Sequence, residues 1–476
     1  MTDAGWLPGE LEDLDWTADT LSGTIAATSA QIRPVWALGD RHLLSDQVLY
    51  PKERHDTDFR DPRVGWGLIL PDAPGLVDGQ PDDAAEAPEP IRQLLAARGG
   101  KVLRYRAGTP IGEAFLHDYP AGLSLSYAAG SAVGAGPGCI PRYLLIYASP
   151  TDIPWRVQSQ LNSSFFVGRL DLEDEGLRNY VACALTDWAG STVRYGEPVV
   201  WCADLGGGEI TTVMRRAIGD DLATRFRDDP DTPGLSYLGE GGATVTGSDL
   251  MAALAGHRPA VVVTTSHGVS EPGSPGALAQ QLGLPVDADL KALDPAALLA
   301  QWQPDGAVWF AQACCSAGAD RPSSYQGLFP AASTIAGSLA AASGAGPLIA
   351  PLPRVLLGAR RPLRAFIGRV EPTFRWTLQS PWTNIPLAQQ LVEAIYLGVC
   401  GFQPVGHALR DWFSPIGGLL AQADRLAVDY DTTEDPALAA KVRSLSVYDR
   451  VLAYDRANLV ILGDPAVALP RPATSC

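Results

Sequence analysis

The chain has 476 residues, of which 46% are hydrophobic and 19% are charged, and this composition excludes a wholly disordered protein. Its net charge of -17 argues against nucleic acids and anionic membranes as partners, because phosphate binding requires a basic surface. The length is sufficient for about two to three domains.

Residues 1–140 carry few structural signals. Clusters of Pro, Asp and Gly interrupt the short apolar patches, and residues 81–90 form an acidic connector. The spacing of apolar residues predicts a short helix over 91–98.

From residue 143 onward, apolar strand-like runs alternate with segments of helical period. The predicted strands are 143–147, 199–205, 235–238, 260–266, 307–312 and 459–462, and 366–374 is a further core segment that contains Pro372. The predicted helices are 173–186, 211–226, 249–255 with Ser248 as its cap, 295–302 and 387–399. Residues 331–346 are either a helix of small residues or a mobile loop. This alternation predicts an α/β fold with a parallel sheet covered on both faces.

Two of the predicted strands end at a reactive side chain followed by small residues. One strand ends at His267-Gly268, and the next ends at Cys314. In a parallel sheet both side chains reach the same carboxyl edge, where open α/β sheets place their sites. A thiolate is a strong nucleophile and an imidazole is a base at neutral pH, so this pair suits acyl transfer. The long interval 269–305 is expected to form a wall of the cleft.

These stretches resemble a known family. Ser266-His267-Gly268 and Gln312-Ala313-Cys314 are similar to the His-Gly and Gln-Ala-Cys signatures of the caspase-like (clan CD) cysteine peptidases, which include caspases, gingipains and CHAT-domain proteases. The small residues after Cys314 are closer to the bacterial branches than to caspases. The run 458–465 resembles the Leu-Gly-Asp-Pro strand ending of gingipain-like and CHAT chains, and 143–171 resembles the first half of a gingipain-type catalytic region. The resemblance covers roughly residues 140–470.

The resemblance implies a caspase-like catalytic domain at 196–476, a three-layer sandwich with a mostly parallel sheet. A second, pseudo-caspase-like α/β subdomain at 1–195 would precede it. Cys314 would attack the scissile carbonyl, and His267 would protonate the leaving amine. Main-chain N–H groups of Cys314 and Gly268 would hold the oxyanion, and Gln312 would shape the cleft.

Cys315 competes with Cys314 for the role of nucleophile. Neighbouring residues of a strand point to opposite faces, so at most one of the two thiols meets His267. The Gln-Ala-Cys register favours Cys314.

Two further residues are candidates for the substrate pocket. Glu209 begins a predicted helix after Gly206-Gly207-Gly208, where arginine-specific gingipains hold an acidic pocket residue, although a carboxylate is also ordinary at a helix start. Trp376 follows the 366–374 segment, where this fold often places a pocket wall, although core packing explains it equally well. Glu209 and the acidic composition favour a basic residue before the cut.

The leading hypothesis is a bacterial cysteine endopeptidase of protein or peptide substrates, triggered as an effector and accompanied by an activator or partner protein from the same operon. The alternative hypotheses are a non-catalytic binding protein and a silent scaffold on the same fold. Seven cysteines without a Cys-x-x-Cys pair and six scattered histidines give no metal motif, so we expect no metal and no cofactor. The N-terminal residues lack the features of a secretory signal, so we expect a cytoplasmic location.

Overall fold

The computed structural model describes residues 55–108, 110–128, 131–270 and 275–471. Its strands are β1 (Trp66–Pro71), β2 (Lys101–Tyr105), β3 (Phe115–Asp118), β4 (Leu123–Ser126), β5 (Tyr143–Tyr147), β6 (Phe166–Leu170), β7 (Val199–Cys202), β8 (Ser236–Leu238), β9 (Val261–Thr265), β10 (His267–Gly268), β11 (Pro285–Val286), β12 (Val308–Gln312), β13 (Gly318–Ala319), β14 (Leu348–Ile349), β15 (Ala365–Arg369) and β16 (Leu459–Leu462).

Helices connect most of these strands. The helices of eight or more residues are Glu89–Arg98, Asp174–Leu185, Asp220–Asp228, Gly247–His257, Thr334–Ser343, Ile416–Thr432 and Pro436–Ala457. The shorter helical segments are Pro110–Glu113, Trp155–Leu161, Ile210–Met214, Arg215–Gly219, Glu240–Gly242, Pro275–Gln281, Pro295–Gln301, Pro351–Leu357, Arg375–Leu378, Gln389–Glu393, Ala394–Val399, Val405–Ala408 and Arg410–Phe413. Within the described ranges, no helix is both long enough and apolar enough to cross a bilayer.

Twelve of the strands described form one sheet in the order β4-β3-β2-β1-β5-β6-β16-β15-β12-β9-β7-β8. Strands β1, β2, β5, β6 and β16 are parallel to one another, and β16 is antiparallel to β15. Strands β15, β12, β9, β7 and β8 are again mutually parallel. The two halves of the sheet therefore run in opposite directions, and their carboxyl ends lie at opposite edges.

Both faces of this sheet are buried. In β5, Tyr143 and Leu145 belong to one hydrophobic cluster, whereas Leu144 and Ile146 belong to another. Strand residues alternate between faces, so apolar side chains cover both sides, as in a parallel sheet packed between two layers of helices. The predicted α/β class and mostly parallel sheet are thus confirmed. The expected division at residue 195 falls between the Asp174–Leu185 helix and β7, while β16 joins the two halves of the sheet.

Local boundaries differ from the predicted ones in a few places. The helix predicted over 249–255 is longer, Gly247–His257, and its cap is Thr246 instead of Ser248. The main-chain N–H of Asp249 donates to the Thr246 hydroxyl, and the Asp249 carboxylate accepts from the Thr246 N–H. This reciprocal capping box satisfies two N–H groups, so the helix starts earlier. Residues 334–343 form a helix, and β15 ends before Pro372.

A buried carboxylate after β16 ties the end of that strand to β1 and to the Glu89–Arg98 helix. Asp464 is fully buried, and its Oδ1 accepts from the indole N–H of Trp66 in β1 at 3.0 Å. Its Oδ2 accepts from Arg98 Nε at 3.0 Å and Nη2 at 2.8 Å. The main-chain N–H of Ala466 also donates to Oδ1. Each carboxylate oxygen therefore accepts two hydrogen bonds.

We expect Asp464→Ala to lower the free energy of unfolding by about 3 kcal/mol, because it leaves Arg98 and the Trp66 N–H without their acceptor in a buried setting. Urea unfolding followed by tryptophan fluorescence measures the change. Asp424→Ala is the matched control, since Asp424 pairs with Arg450 on an exposed helix surface and should cost less than about 1 kcal/mol. Equal losses in the two variants would contradict a special role for Asp464.

Candidate active site

The parallel pairing of β9 and β12 brings the two reactive residues to one edge of the sheet. Thr265 is in register with Gln312, so His267 and Cys314 each lie two residues beyond a paired position. The main chain of Gly268, the residue after His267, is in contact with that of Cys314, because a Cβ placed on Gly268 would lie only 2.0 Å from the carbonyl oxygen of Cys314. Only glycine fits at this position, which explains the small residue after His267.

His267 has a carboxylate partner. Its Nε2 lies 2.8 Å from Oε1 of Glu209, and both side chains are partly exposed. A carboxylate only accepts hydrogen bonds, so Nε2 carries the proton and Nδ1 of a neutral ring is left as the basic nitrogen. The other oxygen of Glu209 accepts from the Thr211 hydroxyl at 3.2 Å. Both carboxylate oxygens are therefore engaged within the chain.

The two adjacent cysteines have different surroundings. Cys314 is partly exposed, whereas Cys315 is fully buried against Leu278, Leu282, Ala319 and Ala342. Cys315 also has a positive φ of 56°, which turns the chain immediately after Cys314. Burial raises the pKa of the Cys315 thiol well above its ordinary value. Of the two cysteines, only Cys314 keeps part of its surface exposed to solvent.

Several groups act on the pKa of the Cys314 thiol. Burial is the strongest influence and raises the pKa, while a hydrogen bond from the main-chain N–H of Thr373 lowers it. The charge of Asp455 raises the pKa, and the charge of Arg369 lowers it. Because the net shift is upward, Cys314 rests as a thiol at neutral pH and requires a base to become a nucleophile.

Gln312 lies beneath the cleft and does not face it. Its side chain is fully buried; its Nε2 donates to the Thr373 hydroxyl at 3.4 Å, and its Oε1 accepts from Arg369 Nε at 3.2 Å. The side chain predicted to shape the cleft therefore supports the residues under Cys314.

Trp376 is half-buried in the Arg375–Leu378 helical turn after β15. Its ring stacks on Phe374, with centroids 5.1 Å apart, and its carbonyl accepts from the Tyr448 hydroxyl. The preceding Arg375 donates to the carbonyl of Gly208 at 3.1 Å. This contact joins the Trp376 segment to the glycine loop that precedes Glu209.

Within the interval 269–305, the described residues from 282 to 286 lie against the site, as expected from their position after His267. Strand β11 within it pairs with β10, which contains His267 and Gly268. A Cβ on Gly283 would lie 2.0 Å from the carbonyl oxygen of Cys315. This segment thus supports both reactive loops from one side.

Sequence reasoning did not identify Thr373 or Asp455 as part of the site. Thr373 follows β15, and Asp455 lies near the end of the Pro436–Ala457 helix, where its carboxylate accepts from the Thr373 hydroxyl. An ordinary Thr in a loop and an Asp in a helix carry no motif that relates them to Cys314.

Comparison with protein-family models gave no match, and comparison with curated proteins gave no significant match. In the part of the chain that the structure describes, no group of three or more His, Cys, Asp or Glu side chains could hold a metal ion.

Proposed function

We propose that the protein is a cysteine endopeptidase of the caspase-like group, with Cys314 as nucleophile and His267 as base and acid. The observation that carries the proposal is the contact between the Gly268 and Cys314 main chains, at the sheet edge where the strands that lead to His267 and to the partly exposed Cys314 end side by side. The strand order β8-β7-β9-β12-β15-β16, with the last strand antiparallel, supplies a sheet compatible with that fold.

The proposed reaction proceeds through an acyl-enzyme. Nδ1 of His267 accepts the Cys314 proton, and the resulting thiolate attacks the scissile carbonyl carbon. The carbon–nitrogen bond breaks as His267 returns this proton to the leaving amine. Water then attacks the thioester, giving its proton to His267, and the carbonyl–sulfur bond breaks to release the acid and free thiol. Main-chain N–H groups of Cys314 and Gly268 would hold the oxyanion in both halves.

In this mechanism Glu209 orients His267 instead of binding a basic substrate side chain. Its carboxylate bonds Nε2 at 2.8 Å, which fixes the ring and stabilises the imidazolium that forms when the thiol ionises. Both oxygens of Glu209 already accept hydrogen bonds within the chain, from His267 and Thr211. A preference for a basic residue before the cut is therefore supported only by the acidic composition of the chain.

We expect Glu209→Gln to lower kcat/KM for peptide cleavage by about tenfold, because a neutral amide holds the ring but stabilises the imidazolium less. The effect is smaller than for a buried triad carboxylate, since Glu209 is partly solvated. Glu240→Gln is a suitable control, because Glu240 is an exposed carboxylate paired with Arg227. Equal activity of the two variants would contradict the orienting role.

The alternative is a non-catalytic binding or scaffold protein on the same fold. The upward shift of the Cys314 pKa favours it, because a protonated thiol is a poor nucleophile. Incubation of the purified protein with a diverse peptide library decides between the two. Cleavage products that increase with time support the peptidase and reveal the residue preferred before the cut. Absence of turnover, with and without proteins encoded in the same operon, supports the alternative.

A role as a triggered bacterial effector, acting in the cytoplasm on a protein substrate, is part of the same proposal. It depends on the resemblance of the His-Gly and Gln-Ala-Cys stretches to CHAT-domain and gingipain-like proteases. Adding candidate activators to the library assay tests it, because a triggered enzyme cleaves only when its activator is present.

A further inference from the structure

A small basic cavity lies at the edge of the sheet opposite Cys314. Its volume is about 210 Å³, and its walls come from the chain segments that lead into β7, β9, β12 and β15. His267 and Cys314 follow β9 and β12, which are parallel to each other, so the cavity and the candidate active site lie at opposite ends of the same strands. A ligand in the cavity would therefore leave the proposed peptide cleft free.

Asp305 fixes one side of the cavity. It is buried, and its Oδ1 lies 2.7 Å from Nε of Arg361 in an ion pair. Its Oδ2 accepts from the main-chain N–H of Thr192 at 2.7 Å and from the Thr192 hydroxyl at 2.8 Å. Arg361 also donates through Nη2 to the carbonyl of Gly190 at 2.7 Å. The carboxylate of Asp305 is thus fully engaged within the chain.

Two further guanidinium groups at the cavity have no such partner. Arg258 and Arg360 are both exposed, and among the residues that the structure describes neither side chain forms an ion pair or a hydrogen bond. Together with Arg361 and Asp305, they give the cavity three positive charges and one negative charge, a net +2 on a chain whose net charge is -17. A local charge of this sign favours an anionic ligand.

Two buried polar atoms at the cavity also lack a partner. Trp302 and Gln303 both line the cavity, and Trp302 is only 4% exposed. Within the described ranges, Nε1 of Trp302 and Oε1 of Gln303 are buried and form no hydrogen bond. A buried donor or acceptor without a partner is destabilising, and a bound ion or molecule is one way of pairing it. A ligand hydroxyl suits this pair, because it accepts one hydrogen bond and donates another.

Arg258 by itself has an ordinary structural explanation. It follows the Gly247–His257 helix as its C-terminal cap, where a cation interacts favourably with the helix dipole. That explanation accounts for neither the unpaired guanidinium of Arg360 nor the two buried atoms of Trp302 and Gln303. A polar, anionic ligand accounts for all of them.

We propose that the cavity binds a small phosphate-bearing molecule, whose phosphate oxygens accept hydrogen bonds from Arg258 and Arg360. A phosphate monoester carries a charge of about -1.5 to -2 at neutral pH, which offsets the local positive charge, whereas a simple carboxylate carries a single charge. A guanidinium also binds phosphate through two parallel N–H groups. The cavity is smaller than the roughly 300 Å³ at which sites for drug-sized ligands begin, so it accommodates the phosphate with few further atoms.

Isothermal titration calorimetry of the whole chain at about pH 7.5, where phosphate is mostly doubly charged, tests the proposal. The probes are inorganic phosphate and glycerol phosphate, with sodium chloride holding the ionic strength constant. We expect saturable binding at one site per chain, with a dissociation constant of about 1 mM or lower. Tighter binding of glycerol phosphate identifies the ligand class as a hydroxylated phosphate monoester, and equal or weaker binding identifies it as free phosphate.

Arg258→Gln and Arg360→Gln should each weaken binding about tenfold, because each removes charge-assisted hydrogen bonds to the phosphate. Arg425→Gln is the matched control, since it removes the same charge from an exposed side chain of the Ile416–Thr432 helix that does not line the cavity. It should bind both probes like the wild-type protein.

The proposal is overturned if the wild-type protein shows no saturable binding of either probe, or if both cavity variants bind as tightly as Arg425→Gln. Equal weakening in all three variants would show a general effect of net charge and would overturn it too. The measurement does not involve peptide cleavage, so its result is independent of the proposed peptidase activity.

Discussion

Replacing Cys314 with alanine is expected to abolish peptide cleavage, by on the order of 10⁴-fold or more, because it removes the sulfur that forms the acyl-enzyme in the proposed reaction. Cys315→Ala is expected to retain activity within a few-fold. Its thiol is fully buried, faces Leu278 and Leu282, and has a pKa raised well above the ordinary value. Steady-state cleavage of the best library peptide measures both variants.

For thermal stability the order reverses: Cys315→Ala should lose stability, whereas Cys314→Ala should keep it. Cys315→Ala removes a buried sulfur and should lower the melting temperature, since it leaves a cavity among the apolar side chains of Leu278, Leu282 and Ala342. Cys314→Ala removes a partly exposed thiol and should melt near the wild-type temperature. Loss of activity only in Cys315→Ala would show that the register taken from Gln312-Ala313-Cys314 is wrong.

The strands that deliver the site could be predicted because their physical signal is local. Runs such as Val261–Thr265 and Val308–Gln312 are short, apolar and bounded by small residues, and a parallel sheet buries them on both faces. Once both strands are parallel neighbours, the meeting of His267 and Cys314 at one edge follows from geometry.

The remainder of the fold depends on contacts that a local pattern does not contain. The sequence does not predict the Ile416–Thr432 helix, because this helix packs mainly on the Pro436–Ala457 helix and buries only Ile416 and Ala423, so its sequence lacks a broad apolar stripe. The opposite directions of the two half-sheets arise at β16, which reaches back to pair with β6. Periodicity carries no information on strand direction.

The residues that surround the site could not be predicted for a related reason, because their roles depend on partners distant in the sequence. Arg369 is fully buried, and a charged residue at the end of a strand normally predicts a surface position. Its burial is compensated by Asp455, which supplies the opposite charge from a distant helix, and by the Gln312 side-chain oxygen. Likewise, Glu209 faces His267 although the two are 58 residues apart, so its sequence context at a helix start suggested only a pocket or a cap.

The second large effect is expected from Gly268→Ala, which should lower kcat/KM by about 100-fold while the protein remains folded. The new Cβ would lie 2.0 Å from the Cys314 carbonyl oxygen and 3.2 Å from its N, so one of the two main chains must move by more than about 1 Å. A displacement of this size separates the imidazole from the thiol and shifts the proposed oxyanion donors, and misplacement by about 1 Å can cost about 100-fold in rate.

Gly256→Ala is the matched control, because the same methyl group there meets nothing within 4 Å in the Gly247–His257 helix. It should leave activity unchanged and raise stability slightly, since alanine favours helix over glycine by up to about 1 kcal/mol. Peptide cleavage and thermal unfolding of the two variants give the comparison. If Gly268→Ala kept activity within about twofold of Gly256→Ala, the close approach of the two loops would not be required for cleavage. The contact between Gly268 and Cys314 would then no longer support the proposed function.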